Sequence, residues 1–567
     1  MLSKNKLLLP FSFFPNIVLF LVVLMVIPPV TFLVLYSLSD ISLGRLNITS
    51  FTLEHYIKLF QSPRDVKAIL NSLLVAFSSS LFGTLLALFI SWVNVKTNTP
   101  LVREIEPLLL VPVAISPFLY ALSWSALLDP YIGLLNSLAN TITGRTLLSI
   151  YSFEGLILVT TFACMPLTYV VIKPFFEQFD VSLEEASIIC GASKRITVWK
   201  ITFALALPTI FSGYLLAFVW CMEELGVPLL LAARAGIPIA TLRIYELTQT
   251  YPPNHNIAAA LAIIVMLINI VVYQIARNIV KGRQWITVSL RGFRKGIMEF
   301  GKIRYFFLFI TVSYIVFSSI LPMIGIVLVS LSNVYGFPTA LEQIGLDNYI
   351  KLLSKDLAVT AIRNSLIIAT FGSFILLMFV FLISYIVSRT AHPVRGLLDT
   401  LSMFPLSIPS IVIALGILLY FIYVLPTYVY ITIFSIMFGM LIRFLGHGVR
   451  AITPAINQIH PGLEDAARIS GASQFHVLKD ILMKLMIPSF ISIYTFLFIY
   501  FVRELPLSIL LATSKNMVWT AGIYTLWELG DVRLVYAFAV LEILLIISVR
   551  YAGLLFSKKV EMKWSRS

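Results

Sequence analysis

Two stretches decide how this chain is built. The first reads Leu183-Glu184-Glu185-Ala186, Gly191-Ala192-Ser193, Ile201 and Pro208; the second reads Leu463-Glu464-Asp465-Ala466, Gly471-Ala472-Ser473, Ile481 and Pro488. Each residue of the first set stands 280 positions before its partner in the second. Both stretches are the most polar parts of an apolar chain, and each lies between long apolar runs. Their pattern predicts a short helix on the membrane surface, a tight turn, and a second helix leading back in. Gly191 and Gly471 supply the turn, because glycine adopts left-handed backbone conformations at little cost.

The surroundings of these stretches set the class. Hydrophobic residues make up 59% of the 567 positions and charged residues 12%. A soluble domain carries about 45–50% apolar and about 25% charged residues. The excess falls in runs of roughly 20 residues, the length a helix needs to cross about 30 Å of hydrocarbon. A transmembrane barrel would instead show weak alternating segments of about 10 residues. The chain is therefore expected to be an all-α integral membrane protein.

Working outward, the duplication extends along both halves. Asn71-Ser72 recurs as Asn364-Ser365 and Pro112 as Pro405, both 293 positions on, whereas Gln178 recurs as Gln458 at 280. The lost residues map to an outer loop, Asp129 to Ile150 in the first half, with a short counterpart around Pro426. Surface loops are where insertions are tolerated. Six spans are expected per half. In the first they cover residues 15–37, 68–93, 106–128, 151–175, 208–232 and 255–280. In the second they cover 305–331, 362–388, 397–423, 428–449, 488–512 and 533–556. The organisation is then a first six-span repeat over 1–280 with its polar loop at 176–207, a basic cytosolic linker over 281–304, and a second six-span repeat over 305–567 with its loop at 450–487. An even number of spans per half makes the repeats parallel. Segments 38–67 and 332–361 form outer lips, with the related patterns His55-Tyr56-Ile57-Lys58-Leu59 and Asn348-Tyr349-Ile350-Lys351-Leu352.

The net charge of +14 sits mostly in short loops, as the positive-inside rule expects, and argues for membrane lipid rather than nucleic acid as the neighbour. Lys281, Arg283, Arg291, Arg294, Lys295, Lys302 and Arg304 mark the linker. Lys4 and Lys6 mark the start, and Lys558, Lys559, Lys563 and Arg566 the tail. All three regions, both termini included, are expected in the cytosol. The apolar run Ile17 to Tyr36 is longer than the core of a cleaved signal and reads as the first span. Cys164, Cys190 and Cys221 show no metal-ligand spacing and predict no disulfide framework; with His255 they make no constellation. Arg443 and His447 share one helix face, where a lone histidine is more often a packing residue than a ligand.

The acids of the two polar stretches, Glu184, Glu185, Glu464 and Asp465, are placed to engage basic groups on a partner, and the alanines beside them let it approach closely. One such helix would pass as a generic surface helix; two at matched positions point to docking sites for a two-fold partner. At this point the chain resembles the permease subunits of bacterial binding-protein-dependent ABC importers, in the fused form that carries both repeats. Their EAA loop reads Glu-Ala-Ala, three residues, glycine, nine residues, isoleucine, one residue, Leu-Pro. Here stand Glu185-Ala186-Ser187 with Gly191 and Ile201, and Asp465-Ala466-Ala467 with Gly471 and Ile481. Phe203-Ala204 and Met483-Lys484 replace the Leu-Pro pair, and proline returns at Pro208 and Pro488.

The segments Met222-Glu223-Glu224-Leu225-Gly226-Val227-Pro228 and Arg503-Glu504-Leu505-Pro506-Leu507, with Leu526-Trp527-Glu528-Leu529-Gly530, resemble the ferric-iron permeases of that group. Relatives carrying phosphonate, thiamine, sulfate or polyamines share the plan. The resemblance implies about 12 transmembrane helices in the type I ABC importer permease fold, in the bacterial cytoplasmic (inner) membrane. It also implies two copies of an ABC ATPase subunit, and a periplasmic or lipid-anchored solute-binding protein. The ATPase-coupling residues are then Glu184, Glu185, Ala186, Gly191, Glu464, Asp465, Ala466 and Gly471.

Glu224 and Glu504 match across the repeat, each about 24 Å along the helix from its opening proline, and are expected toward the outer side of the bilayer. An ionisable group there costs on the order of 2.5–3.5 kcal/mol on insertion scales. They read either as carboxylates facing each other across a solute pathway or as part of a set that locks helices. Oxygen ligands suit hard cations, so Glu224 and Glu504 are candidates for transient contact with ferric ion. Glu223 and Arg503 complete the pathway set and are placed for a salt bridge across the axis.

No catalytic residue and no cofactor are expected in this chain; ATP and magnesium belong on the partner ATPase. Gly296-Ile297-Met298-Glu299-Phe300-Gly301-Lys302 approaches a phosphate loop, but Ile303 stands where a Ser or Thr would hold magnesium, and a span follows. An ion-coupled secondary carrier with two parallel halves is the competing reading, disfavoured by the duplicated loops. A membrane enzyme would need a catalytic cluster that the sequence does not contain.

Overall fold

The apolar runs become helices because a backbone in lipid must satisfy its own hydrogen bonds. A computed structural model describes residues 14–39, 51–146, 148–282, 296–334, 336–338 and 341–564. Lys4, Lys6, Arg283, Arg291, Arg294, Lys295 and Arg566 lie outside the described residues.

In chain order, the first repeat contains α1 (Phe14–Leu38), α2 (Pro63–Lys96), α3 (Val102–Ala114), α4 (Pro117–Leu128), α5 (Phe153–Glu177), α6 (Ser182–Ile189), α7 (Lys194–Glu223), α8 (Ala240–Gln249) and α9 (His255–Gly282). The second contains α10 (Ile303–Leu331), α11 (Asp356–Arg389), α12 (Arg395–Ser407), α13 (Ser410–Val424), α14 (Ile433–Gln458), α15 (Gly462–Ile469), α16 (Gln474–Leu485), α17 (Ile487–Arg503), α18 (Trp519–Glu528) and α19 (Val532–Trp564). Among the described residues nine helices are long and apolar enough to cross a membrane, and three bent pairs bring the total to 12. The pairs α3–α4 and α12–α13 bend by 105° and 106°. Pro117 opens α4 after the extended residue Ile115, and Pro409 caps α13 after the extended Ile408; proline cannot continue the preceding hydrogen-bond ladder. The third pair, α16–α17, bends by 74° at Met486, whereas its counterpart α7 runs unbroken through Pro208. Both lip patterns form short helices, Glu54–Gln61 and Asp347–Leu353, each leading into a long span.

The helices sort into two compact units, Glu54–Tyr349 and a second that joins α1 to the residues from Ile350 onward. Each unit therefore takes its first span from the other repeat, an exchange that the repeat boundaries do not reveal. In the unit of residues 54–349, α2 packs on α5 and α7, and α10 lies against α4. In the other, α11 packs on α14, α17 on α19, and α1 on α12 and α13. Close approach needs small residues: a Cβ on Gly416 would sit 2.5 Å from the carbonyl oxygen of Pro29 in α1. The described end of the linker returns to α2, where the Met298 N–H donates to the carbonyl of Lys96 at 2.8 Å. Phe300 then enters the aromatic cluster of Trp92 and Phe307, with ring centroids 5.3 Å apart in each pair. This stretch is an extended bridge followed by a turn at Gly301, not a phosphate loop.

Beyond the expected spans 106–128 and 397–423, which are the sharply bent pairs, two more are broken. Residues 208–232 do not form one helix: α7 stops at Glu223, Glu224 is extended, and a separate short helix begins at Pro228. Residues 488–512 break in the same way at Glu504, before Pro506.

Candidate functional site: two elbows and two broken spans

Each polar stretch folds as an elbow, α6 into α7 and α15 into α16. The turns close identically. After α6 the Ala192 N–H bonds the carbonyl of Ser187 at 3.1 Å and the Gly191 N–H that of Ile188 at 2.9 Å; after α15 Ala472 bonds Ala467 at 3.0 Å and Gly471 bonds Arg468 at 3.0 Å. This is the Schellman closure, which places a left-handed residue just past the helix. Gly191 and Gly471 have φ of +89° and +88°. Ser193 and Ser473 then cap the next helix, accepting from Ile196 and His476 N–H.

The acids divide in a way that the sequence alone did not reveal. Glu185 and Asp465 are exposed on the outer face with Ala186 and Ala466. Glu184 and Glu464 are 1% and 3% exposed. They are not available to a partner surface, which corrects the expectation that all four acids reach outward. Glu184 Oε2 lies 3.4 Å from Lys96 Nζ at the end of α2, and its Oε1 accepts from Thr202 Oγ1 at 2.7 Å. Lys96 also sits over the Phe179 ring, 4.5 Å from its centroid. Glu464 Oε1 lies 3.2 Å from Arg389 Nε at the end of α11, and Oε2 accepts from the Tyr385 hydroxyl at 3.4 Å. Arg389 Nη2 donates to the carbonyls of Ile456, at 2.6 Å, and Ile459. Lys96 and Arg389 are 293 positions apart, so the repeat offset itself could have found them.

Apolar tips are the other residues missed. Ile189 and Ile469 are 85% and 88% exposed, which makes them the most exposed large apolar side chains of their elbows. With Leu183 and Leu463 they form matched apolar faces beside the outward acids.

The intramembrane acids stand where the spans break. Glu224 Oε1 accepts the Gly226 N–H at 2.6 Å, while the Glu224 carbonyl accepts from Thr241 Oγ1 at 2.8 Å. The Glu504 carbonyl accepts from Thr520 Oγ1 at 2.8 Å and from Ser508 Oγ. Its carboxylate faces Ser410, the Leu507 N–H and Arg443. Glu223 is half-buried, and the Arg503 guanidinium lies over the Tyr500 ring at 4.4 Å from the centroid. Arg503 also has Glu504 and Glu542 for charged neighbours in its own unit. Glu542, in the middle of α19, is fully buried and was not singled out from the sequence, since nothing matches it in the first repeat. Arg443 Nη1 donates to the Ile408 carbonyl at 3.2 Å, and His447 packs edge-on against Phe444 at 5.7 Å, which is a packing role. Among the described residues no three His, Cys, Asp or Glu side chains gather as metal ligands. Cys164 and Cys221 are buried and Cys190 is exposed, all three as free thiols.

Comparison with known proteins places this geometry. Residues 79–284 and 389–562 each match the family described as "Binding-protein-dependent transport system inner membrane component". A ferric transport system permease protein, FbpB, of Actinobacillus pleuropneumoniae is 23% identical over 510 residues, covering 88% of this chain and 72% of that protein. The Fe(3+)-transport system permease protein FbpB 2 of Haemophilus influenzae is 23% identical over 488 residues, covering 85% and 88%. The molybdenum transport system permease protein ModB of Mycobacterium bovis is 26% identical over 210 residues, covering 37% of this chain and 78% of its own. A crystal structure of a bacterial alginate ABC transporter with its alginate-bound periplasmic protein aligns over 46% of this chain and 95% of the matched one, with 17% identity and a TM-score of 0.39. Matched twice, over most of its length, the chain belongs to the binding-protein-dependent transport system inner membrane components, as a fused permease carrying two copies of the family's domain.

Proposed function

We propose that this permease imports ferric iron, taking it from a solute-binding protein outside the cytoplasmic membrane and delivering it to the cytosol with energy from two ATPase subunits. The elbows carry the motor half of this reading. Each offers an outward carboxylate, Glu185 or Asp465, the same isoleucine tip and the same turn, so one kind of subunit can grip both. ATP and its magnesium would be bound by those subunits. Lys302, Arg304, Lys558 and Lys559 favour placing the elbows and both termini in the cytosol. The iron half rests on the relatives that align over most of this chain, which are ferric permeases by name.

In the cycle, the loaded binding protein docks outside. Closure of the ATPase subunits on ATP shifts the permease toward its outward-open state by differential binding, through rigid-body movement of helices. The solute enters, passes the pathway residues, Glu223 and Glu224 of one repeat and Arg503 and Glu504 of the other, and leaves inward after hydrolysis. Oxygen donors suit a hard cation, and two carboxylates are too few to trap it.

Two measurements test this. Affinity purification of the tagged permease from its native membrane should bring down an ATP-hydrolysing subunit, and a deletion strain should lose radioactive ferric iron uptake. Uptake that persists in the deletion strain while molybdate or phosphonate uptake is lost removes the iron reading. For orientation, exposed Cys190 on the first elbow should react with a membrane-impermeant thiol reagent in inside-out vesicles and not in intact cells. Labelling from outside would place the elbows on the wrong face.

A further inference from the structure

The Asn71-Ser72 pair and its copy Asn364-Ser365 gain a role from what they bind. Asn71 Nδ2 donates to the carbonyl of Pro238 at 3.0 Å, and Ser72 Oγ accepts the Ala240 N–H at 2.8 Å. Asn364 Nδ2 donates to the carbonyl of Met517 at 2.9 Å, and Ser365 Oγ accepts the Trp519 N–H at 2.7 Å. In both repeats the very next residue, Thr241 or Thr520, holds the carbonyl of the intramembrane acid, Glu224 or Glu504. The far ends of the same two helices carry Lys96 and Arg389, which hold Glu184 and Glu464 inside the elbows. Each unit thus contains one long helix bonded at one end to an elbow and at the other to the backbone beside an acid. Ser72 and Lys96 are 24 residues apart, as are Ser365 and Arg389, a reach of about 36 Å at the helical rise.

We infer that α2 and α11 are paired push-rods, and that Lys96, Arg389, Asn71, Ser72, Asn364 and Ser365 are the positioning residues that fasten their ends. This rests on the elbows being where the motor subunits grip. The physical case is that neither end can slip freely. Sliding an elbow along its rod would strip buried Glu184 of Lys96 and would leave Glu464 only Arg468 of its own helix, 3.5 Å away, which is costly in a low-dielectric site. Sliding the other end would orphan a buried backbone N–H. Displacement of an elbow is therefore passed along the helix to the break at Glu224 or Glu504. The two repeats reach this arrangement with different cations and with different residues at Ala240 and Trp519. The linkage is what they share, rather than one set of side chains.

The test uses the whole complex of permease and ATPase subunits in proteoliposomes, supplied with ferric iron on the binding protein. The readout is iron moved per ATP hydrolysed, with thermal midpoint and subunit copurification measured alongside. Asn71→Ala with Ser72→Ala, the equivalent pair Asn364→Ala with Ser365→Ala, and all four together should leave the ATPase subunits attached. They should lower the ratio about 3- to 30-fold, the span expected of residues that modulate coupling between sites. Ser72→Thr and Ser365→Thr, which keep the acceptor hydroxyl, should instead retain most of it. A merely structural role would lower the midpoint and leave the ratio intact. If the four-fold variant is too unstable to assemble, Ser72→Ala and Ser365→Ala alone each remove a single bond and are read the same way. An unchanged ratio in assembled variants overturns the push-rods alone. A wild-type complex that retains no ATPase subunit overturns the elbow reading and the rods with it.

Discussion

Gly191 and Gly471 are held at positive φ with open space around the position a Cβ would take. Sterics of the neighbourhood therefore do not select glycine; the backbone does. A β-branched residue in the left-handed region pays roughly 1–2 kcal/mol, whereas asparagine tolerates it. Gly191→Val with Gly471→Val should thus distort both turns and uncouple ATP hydrolysis from transport, while Gly191→Asn with Gly471→Asn should keep the two coupled. Equal coupling in the valine and asparagine variants, measured as iron moved per ATP, would show that the turn geometry is dispensable. The buried acids behave differently. Lys96→Met leaves Glu184 charged and unpaired at 1% exposure, and breaking such a pair from one side costs about 3–5 kcal/mol. Lys96→Met with Glu184→Leu removes both charges, and most of the thermal stability should return. Glu185→Gln, on the exposed face, should barely move the unfolding midpoint and should act instead on subunit retention in pull-downs. A Lys96→Met protein as stable as wild type would mean that the pair does not hold the elbow.

At the scale of the element, the broken spans decide what the acids can do. Glu224 and Glu504 terminate α7 and α17 with extended backbone, and threonine hydroxyls hold their carbonyls. The main chain is thereby fixed independently of the carboxylates. Glu224→Gln with Glu504→Gln should accordingly leave assembly and copurification intact and reduce ferric iron uptake; normal uptake in this double variant would take the acids out of the pathway. The breaks also mark where sequence reading stopped. Hydropathy located the unbroken spans because lipid demands continuous apolar helix. It ran straight across Glu224 because Leu225, Val227 and Leu229–Leu231 are as apolar as a span and all are buried; apolar composition reports burial and is blind to a turn in the backbone. Duplication exposed Asn71-Ser72 and the elbows, but not the bonds they make, since those of the Asn-Ser pairs join residues more than 150 positions apart and those of the buried elbow acids reach cations 88 and 75 positions away. Glu184 and Glu185 looked alike for a related reason: adjacent residues on a helix differ by about 100° in direction, and only packing tells which one faces in.

At the scale of the whole molecule, the exchanged first spans govern how the two repeats stay together. α10 belongs to the second repeat in sequence, yet it is bonded into the unit of residues 54–349. The Tyr120 hydroxyl donates to the carbonyl of Ser318, and Ser319 Oγ donates to that of Leu108, both at 2.8 Å. α1 returns the exchange in the other unit, burying Val18, Val22, Val26 and Leu33 and bringing its Pro29 carbonyl against Gly416. Lipid tails are as apolar as these side chains, so the exchange is held by close packing and hydrogen bonds rather than by a hydrophobic drive. The covalent linker is then dispensable for assembly. Cutting the chain between Arg291 and Gly292 and producing both pieces together should give halves that copurify and retain iron uptake. Either half produced alone lacks one span of its main unit and leaves its own first span without the unit it packs in, and should aggregate or be degraded. Gly416→Leu would drive a side chain into the Pro29 carbonyl and loosen only the α1 side of the exchange, so in the cut protein it should release the halves more readily than in the intact chain, where the linker holds them regardless. Halves that separate without that substitution would mean that the exchanged spans contribute too little to bind the repeats, and that the linker is the element that keeps the permease whole.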